Sequence, residues 1–167
     1  TPLQAVTVYA SLANGGNIIQ PNLIKNSKKN KNKKLISEKT SLEIVNILRK
    51  VVTDKDGTAS LADIDGYYVG GKTGTSQNYE NKNENLNTFI SIFPSQKPKY
   101  AMLVMLENPK IAKDLIYDYR GLKIKGTRNE AGWNSVYVAG KIIEKIGPIL
   151  AIKSKDFNNY YVAEKIN

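Results

Sequence analysis

Residues Gly70-Gly71-Lys72-Thr73-Gly74-Thr75-Ser76 constrain this chain more than any other stretch, because Gly-Lys-Thr belongs to two chemistries with opposite structural demands. Counted from Gly66, the segment Gly66-Tyr67-Tyr68-Val69-Gly70-Gly71-Lys72-Thr73 has the G-x-x-x-x-G-K-[ST] spacing of a phosphate-binding loop. Such a loop follows a buried strand and opens directly into a helix, whose N-terminal amides and dipole hold the anion. Neither flank supplies that setting. Upstream, Asp54-Lys55-Asp56-Gly57 and Asp63-Ile64-Asp65-Gly66 are turn signals. Downstream, Gly74 comes two residues after the lysine, and the run 76–87 is rich in Asn and Glu without apolar periodicity, so no helix is expected there. The aromatic and β-branched residues Tyr67, Tyr68, Val69, Thr73 and Thr75 instead predict a strand through the motif.

The elements around it follow from local pattern. Thr1-Pro2-Leu3-Gln4 reads as a capped helix start, and Leu3, Val6, Ala10 and Ala13 keep one apolar stripe until Asn14-Gly15-Gly16 ends it. Residues 17–24 are expected to be extended around Pro21. A second helix starts near Ser37 or Thr40, turns Leu42, Val45, Leu48 and Val52 inward, and ends before Gly57. Two further strands, 88–93 and 100–106, are joined by Pro94-Ser95-Gln96-Lys97-Pro98, short enough for an antiparallel pair. Residues 108–130 read as a long polar connection. From Ala131 a third helix buries Trp133, Val136, Ala139, Ile143 and Ile146 until Gly147-Pro148 stops it. The tail 152–167 is expected to be weakly ordered. Three successive strands without helical crossovers, flanked by helices, predict an α+β architecture with an antiparallel sheet, without internal repeat or domain boundary.

In a strand, Lys72 and Thr73 leave on opposite faces, so one site can use both only along the strand's edge. Such an edge suits peptide recognition, since an extended peptide can add itself through main-chain hydrogen bonds where Gly70, Gly71 and Gly74 allow close approach. The Thr73 and Thr75 hydroxyls can bind a terminal carboxylate, Lys72 adds positive potential, and a backbone N–H can supply half of an oxyanion hole. The bland alternative is a bulge with a solvated edge lysine. With neither histidine nor cysteine in its 167 residues, the chain excludes a Ser-His-Asp triad, thiol catalysis, disulfides and zinc-thiolate sites. Proton transfer would fall to Lys, Asp, Glu or Tyr. The net charge of +10 and the six lysines of 25–34 come without interleaved aromatics or arginines, which favours a solvated loop over a nucleic-acid surface.

Further matches extend along the chain: Thr1-Pro2-Leu3-Gln4 with Tyr9-Ala10, then Gly15-Gly16, Pro21, Gly57-Thr58-Ala59 and Gly66-Tyr67 before Gly71-Lys72-Thr73-Gly74-Thr75-Ser76. They continue with Phe89-Ile90-Ser91-Ile92-Phe93-Pro94, Glu107-Asn108-Pro109 and Ala131-Gly132-Trp133. In this order they resemble the C-terminal half of the transpeptidase domain of class B penicillin-binding proteins, whose third signature is Lys-Thr-Gly. The division-specific peptidoglycan D,D-transpeptidase branch is the best fit and the elongation-specific branch its rival. The resemblance implies an incomplete serine β-lactamase-like fold over residues 1–167 and serine acyl transfer that cross-links D-Ala-D-Ala stem peptides during septal wall synthesis. It also implies acylation of the same serine by β-lactams. Lys72 would be the catalytic-site lysine, acting electrostatically; Thr73 and Thr75 would hold the substrate carboxylate; Gly74 would keep the strand clear; the Thr75 amide would form half of the oxyanion hole. Gly57, Thr58, Ala59 and Gly71 would support the site.

The chain departs from the family in one respect: no Ser-x-x-Lys occurs in it. Ser76-Gln77-Asn78 spells Ser-x-Asn, but it follows the Lys-Thr-Gly strand, whereas the family's motif precedes the Thr-Pro-Leu-Gln helix. The chain is therefore expected to be the later part of a longer periplasmic enzyme of the inner membrane, inert alone, with its nucleophile and membrane anchor elsewhere. That parent would meet other division proteins but no nucleic acid, metal or cofactor. The alternatives are a non-catalytic peptide-binding module using the Gly-rich edge and, less well supported by the flanks, a nucleotide binder.

Overall fold

The computed structural model describes residues 1–24, 33–77 and 84–152. Helix α1 (Pro2–Ala13) begins where the sequence indicates: the Thr1 hydroxyl accepts the Gln4 amide at 3.3 Å, and the Gln4 side chain accepts from the Thr1 amine at 2.8 Å. This reciprocal capping satisfies amides that a helix start leaves orphaned. Helix α2 (Glu38–Thr53) is capped by Ser37, whose hydroxyl accepts the Thr40 amide at 3.1 Å. Its inward stripe is Ser41, Val45, Leu48 and Val52. Leu42, expected inside, is 59% exposed, and so is Leu3 on α1. The phase of α2 is set by its contact with α1, where the Ser41 hydroxyl donates to the Leu12 carbonyl at 2.5 Å; a small polar residue lets the two backbones approach where a leucine would hold them apart.

Strands β1 (Gly70–Gln77), β2 (Asn85–Phe93) and β3 (Tyr100–Glu107) form an antiparallel sheet in the order β1-β2-β3, with Thr73 opposite Phe89 and Phe89 opposite Val104. Directly opposed residues share a face, so the register sorts the core. Ile92 packs with Ala13, Val45 and Leu48 of α1 and α2. Phe89, Phe93 and Val104 pack with Val136, Ala139 and Ile143 of α3 (Ser135–Ile152), together with Ala59, Ala62 and Val69. The α+β architecture, with helices on both faces of an antiparallel sheet, is as the sequence predicts.

Two further expectations fail. The stretch 108–130 is not a plain connection: Ile116–Tyr119 (β4) and Leu122–Lys125 (β5) pair as a hairpin around Arg120 and Gly121, at φ 55 and 79. Positive φ at both turn residues matches the twist of the flanking strands. Tyr117 is buried against Trp133 and Tyr137, edge to face at 5.5 and 5.1 Å. Nor does Gly147-Pro148 stop the last helix. A single 3-10 turn, Ala131–Trp133, precedes α3, which continues through Pro148 to Ile152. Proline there forgoes one amide donor, but Ile146 and Leu150 pack onto the core on either side. Gly147 meanwhile leaves room for Tyr67, whose ring a Cβ would meet at 2.1 Å. The expected weak order of the tail, from residue 153 on, and most of the lysine run, 25–32, lie outside the described residues.

Candidate functional site

Among the described residues, strand β1 has β2 on one side and no strand on the other, so the Gly-Lys-Thr-Gly motif occupies a sheet edge. Lys72 sits in the middle of this strand, and no helix N-terminus follows Thr73, which removes the geometry a phosphate-binding loop requires. Val69, just before the strand, is held by Arg49, whose guanidinium donates to the Val69 carbonyl at 2.7 Å and to Asp63 at 2.9 Å. Glycine is required at Gly71, where a Cβ would lie 2.5 Å from the Ile90 carbonyl and 2.6 Å from the Phe89 ring, and it permits a close approach at Gly74, where a Cβ would meet the Thr88 hydroxyl at 2.6 Å.

The alternation of the strand divides the motif. Lys72 lies on the α1/α2 side opposite Ile90, whereas Thr73 and Thr75 lie on the α3 side opposite Phe89 and Asn87. There both hydroxyls find partners from distant segments. Thr58 Oγ1 is 2.8 Å from Thr73 Oγ1, which brings Gly57-Thr58-Ala59 against the motif. The Ala131 amide donates to Thr75 Oγ1 at 3.1 Å. Gly132 closes the arrangement, since a Cβ there would lie 2.6 Å from the Thr58 carbonyl. The exposed Lys72 ammonium reaches round to the Thr73 carbonyl at 3.0 Å. Backbone groups alternate sides along a strand. With the Thr73 carbonyl on the open side, the Thr75 N–H two residues on opens to that side too.

Sequence reasoning missed the residues that hold Ala131 in place. Asn87, fully buried, donates through Nδ2 to the Asn129 carbonyl at 2.7 Å. The Asn129 amide donates to the Pro109 carbonyl at 2.7 Å, and its oxygen accepts from Asn134 at 3.1 Å. Partners 42 positions apart leave no local signal in a chain rich in asparagine.

Away from the motif, a cleft of about 850 Å³ lies between the β4–β5 hairpin, α3 and residues 60–67. Two ion pairs lie within its lining, Lys123 with Asp118 at 2.6 Å and Lys141 with Glu144 at 2.7 Å. The hydrogen bond from Lys123 holds the Asp118 carboxyl below its ordinary range, and the one to Glu144 raises Lys141. Burial, then the neighbouring Tyr137, raises the Tyr117 phenol. Among the described residues no group of three or more acidic side chains could hold a metal ion, and no helix is long and apolar enough to cross a membrane.

Residues 1–128 match the family described as the penicillin binding protein transpeptidase domain. The chain is 30% identical over 93% of its length to the probable peptidoglycan D,D-transpeptidase FtsI of Caulobacter vibrioides, covering 27% of that protein. It is also 30% identical over 93% of its length to stage V sporulation protein D of Bacillus subtilis, covering 24%. It thus spans about a quarter of the curated relatives it matches. In fold it is similar to penicillin binding protein 3 of Mycobacterium tuberculosis, solved with ampicillin, at a TM-score of 0.67 and 24% identity over 88% of this chain and 35% of that one.

Proposed function

Because the chain belongs to the penicillin-binding protein transpeptidase domain family, we propose that it forms the substrate-binding wall of a peptidoglycan D,D-transpeptidase. The observation that supports this most is the open edge of β1, where Thr73 and Thr75 carry hydroxyls already partnered by Thr58 and Ala131. A stem peptide ending in D-Ala-D-Ala adds to that edge as an extended strand. Its terminal carboxylate accepts hydrogen bonds from the Thr73 and Thr75 hydroxyls under the positive potential of Lys72, and its reacting carbonyl oxygen accepts one from the outward Thr75 N–H. Gly57, Thr58 and Ala59 back Thr73, and Gly71 and Gly74 keep the strand close to β2 and clear on its edge.

The proposal assigns the nucleophilic serine and its lysine to a segment outside these 167 residues. That serine adds to the penultimate D-Ala carbonyl and gives its proton to the lysine. The terminal D-alanine then leaves with the proton held by the lysine, and the amine of a neighbouring strand, losing a proton that passes by way of the lysine to the serine oxygen, displaces the serine from the acyl group. β-Lactams enter by the same carboxylate and end as the acyl-enzyme. The similarity to FtsI supports a septal role for the parent at the outer face of the inner membrane, among other division proteins.

The decisive experiment uses the full-length protein and Thr75→Val. A hydrogen bond to a charged group is worth about 1.5–3 kcal/mol, so acylation by a carboxylate-bearing penicillin should slow by roughly 10- to 150-fold. Unchanged acylation would refute the site assignment. If no acylation occurs in any variant while D-Ala-D-Ala peptides bind wild type but not Lys72→Ala or Thr75→Val, the edge is a peptide-binding module without chemistry.

A further inference from the structure

The geometry points to Asn87 as a positioning residue that fixes which way the Thr75 hydroxyl donates; we infer this on the basis of the carboxylate-binding role proposed above. A threonine hydroxyl has one proton and two acceptor lone pairs. The Ala131 amide, donating at 3.1 Å, occupies an acceptor position of Thr75 Oγ1. The proton cannot point toward Ala131, so it is left for a group arriving at the open edge. The donor polarity of Thr75 toward a carboxylate therefore depends on Ala131 staying where it is.

Ala131 is held through Asn129. Asn87 lies directly opposite Thr75 in the sheet and on the same face, and its Nδ2 donates to the Asn129 carbonyl at 2.7 Å. One side chain thus joins the strand neighbour of Thr75 to the segment that caps it. The Pro109 carbonyl and Asn134 hold the Asn129 side chain from two further directions, while the Ser135 hydroxyl donates to the Ala131 carbonyl at 3.1 Å. Asn87 is fully buried, and among the described residues its Oδ1 has no hydrogen-bond partner. A buried, unpaired carbonyl oxygen costs stability. An apolar residue would suit this position better if packing were its only task, which favours the Nδ2 bond as the reason for an amide here.

The test measures discrimination in the full-length protein. N-acetyl-D-Ala-D-Ala and its C-terminal amide compete with a fluorescent penicillin, and the ratio of their apparent affinities reports carboxylate recognition. Thr75→Val should lower the ratio at least tenfold; Asn87→Ala should lower it by roughly two- to tenfold, the worth of one ordinary hydrogen bond. The double variant should lower it no further than Thr75→Val alone. If Asn87→Ala does not fold, Asn87→Asp keeps the shape, replaces the donor by an acceptor facing the Asn129 carbonyl, and should lower the ratio likewise. A wild-type ratio in the Asn87 variant, with a lowered one in Thr75→Val, overturns this inference and leaves the proposed site intact. Additive losses in the double variant overturn it as well, because Asn87 would then act other than through Thr75. A wild-type ratio in Thr75→Val removes the carboxylate assignment itself.

Discussion

Gly132→Ala is the sharpest structural perturbation of the site that leaves every motif residue unchanged. The new Cβ would lie 2.6 Å from the Thr58 carbonyl oxygen, against about 3.4 Å for an ordinary contact, so the two segments must part by about 0.8 Å. The obstructing atom is backbone, and no side chain can rotate away to relieve it. If the 131–133 segment moves, the Ala131 bond to Thr75 lengthens from 3.1 Å to about 3.9 Å, too long for a hydrogen bond. If the Thr58 loop moves instead, the 2.8 Å contact with Thr73 breaks. Either way one of the two threonines loses the neighbour that orients it. Overpacking of this kind costs about 1–3 kcal/mol of stability, and a displacement near 1 Å in a reacting site can cost up to ~100-fold in rate. The assay is the rate of penicillin acylation of the full-length protein, measured beside its thermal midpoint. An acylation rate within twofold of wild type, with an unchanged midpoint, would refute the reasoning, because it would mean that Gly132 and Thr58 are not in contact.

Other outcomes are expected from the same structure. Phe89→Ala empties a fully buried site at the centre of the larger core and should cost about 3–5 kcal/mol, read as a fall in denaturation midpoint of the full-length protein. Arg49→Met removes both donors to Val69 and Asp63; it should destabilise the start of β1, with faster amide exchange at Val69 and Gly70 than at Ile143, and uniform exchange would contradict the anchoring role. The Tyr117 phenol is raised by burial, so the folded state keeps its proton after the unfolded chain begins to lose it. Stability is then lost as the pH rises above about 10, the ordinary tyrosine value. Tyr117→Phe should flatten that loss, and an identical alkaline slope in both proteins would rule the tyrosine out as its cause. Produced alone, the chain leaves the outer edges of β1 and β3 open among the described residues and exposes Leu3, Leu42 and Ile47. It should be poorly soluble or molten, and sharp, dispersed amide spectra would show otherwise.

The sequence by itself determined what local chemistry decides. Thr1-Pro2-Leu3-Gln4 caps its own helix through contacts within four residues. The β-branched Thr73 and Thr75, with no helical periodicity after them, indicated a strand and excluded a phosphate loop, although Tyr67 and Tyr68, read into the same strand, precede it, Tyr67 in a turn and Tyr68 at φ 48. The short link between β2 and β3 made that pair antiparallel. The resemblance to penicillin-binding proteins was legible because Lys-Thr-Gly stands in the right order among many weaker matches. Tertiary structure decided whatever depends on a partner far along the chain. Ser41 rather than Leu42 faces inward because α1 comes close enough to offer Leu12. The β4–β5 hairpin is hard to see because its strands are only four residues long and leave Ile116 and Leu122 exposed, and Tyr117 becomes core only when Trp133 and Tyr137 arrive. Pro148 stays inside α3 because residues on both sides of it are held by the core. The motif names Thr75, but its hydroxyl gains a direction only when Ala131, 56 residues on, is set beside it, since a hydrogen-bonded site exists only once the fold has joined its donors and acceptors.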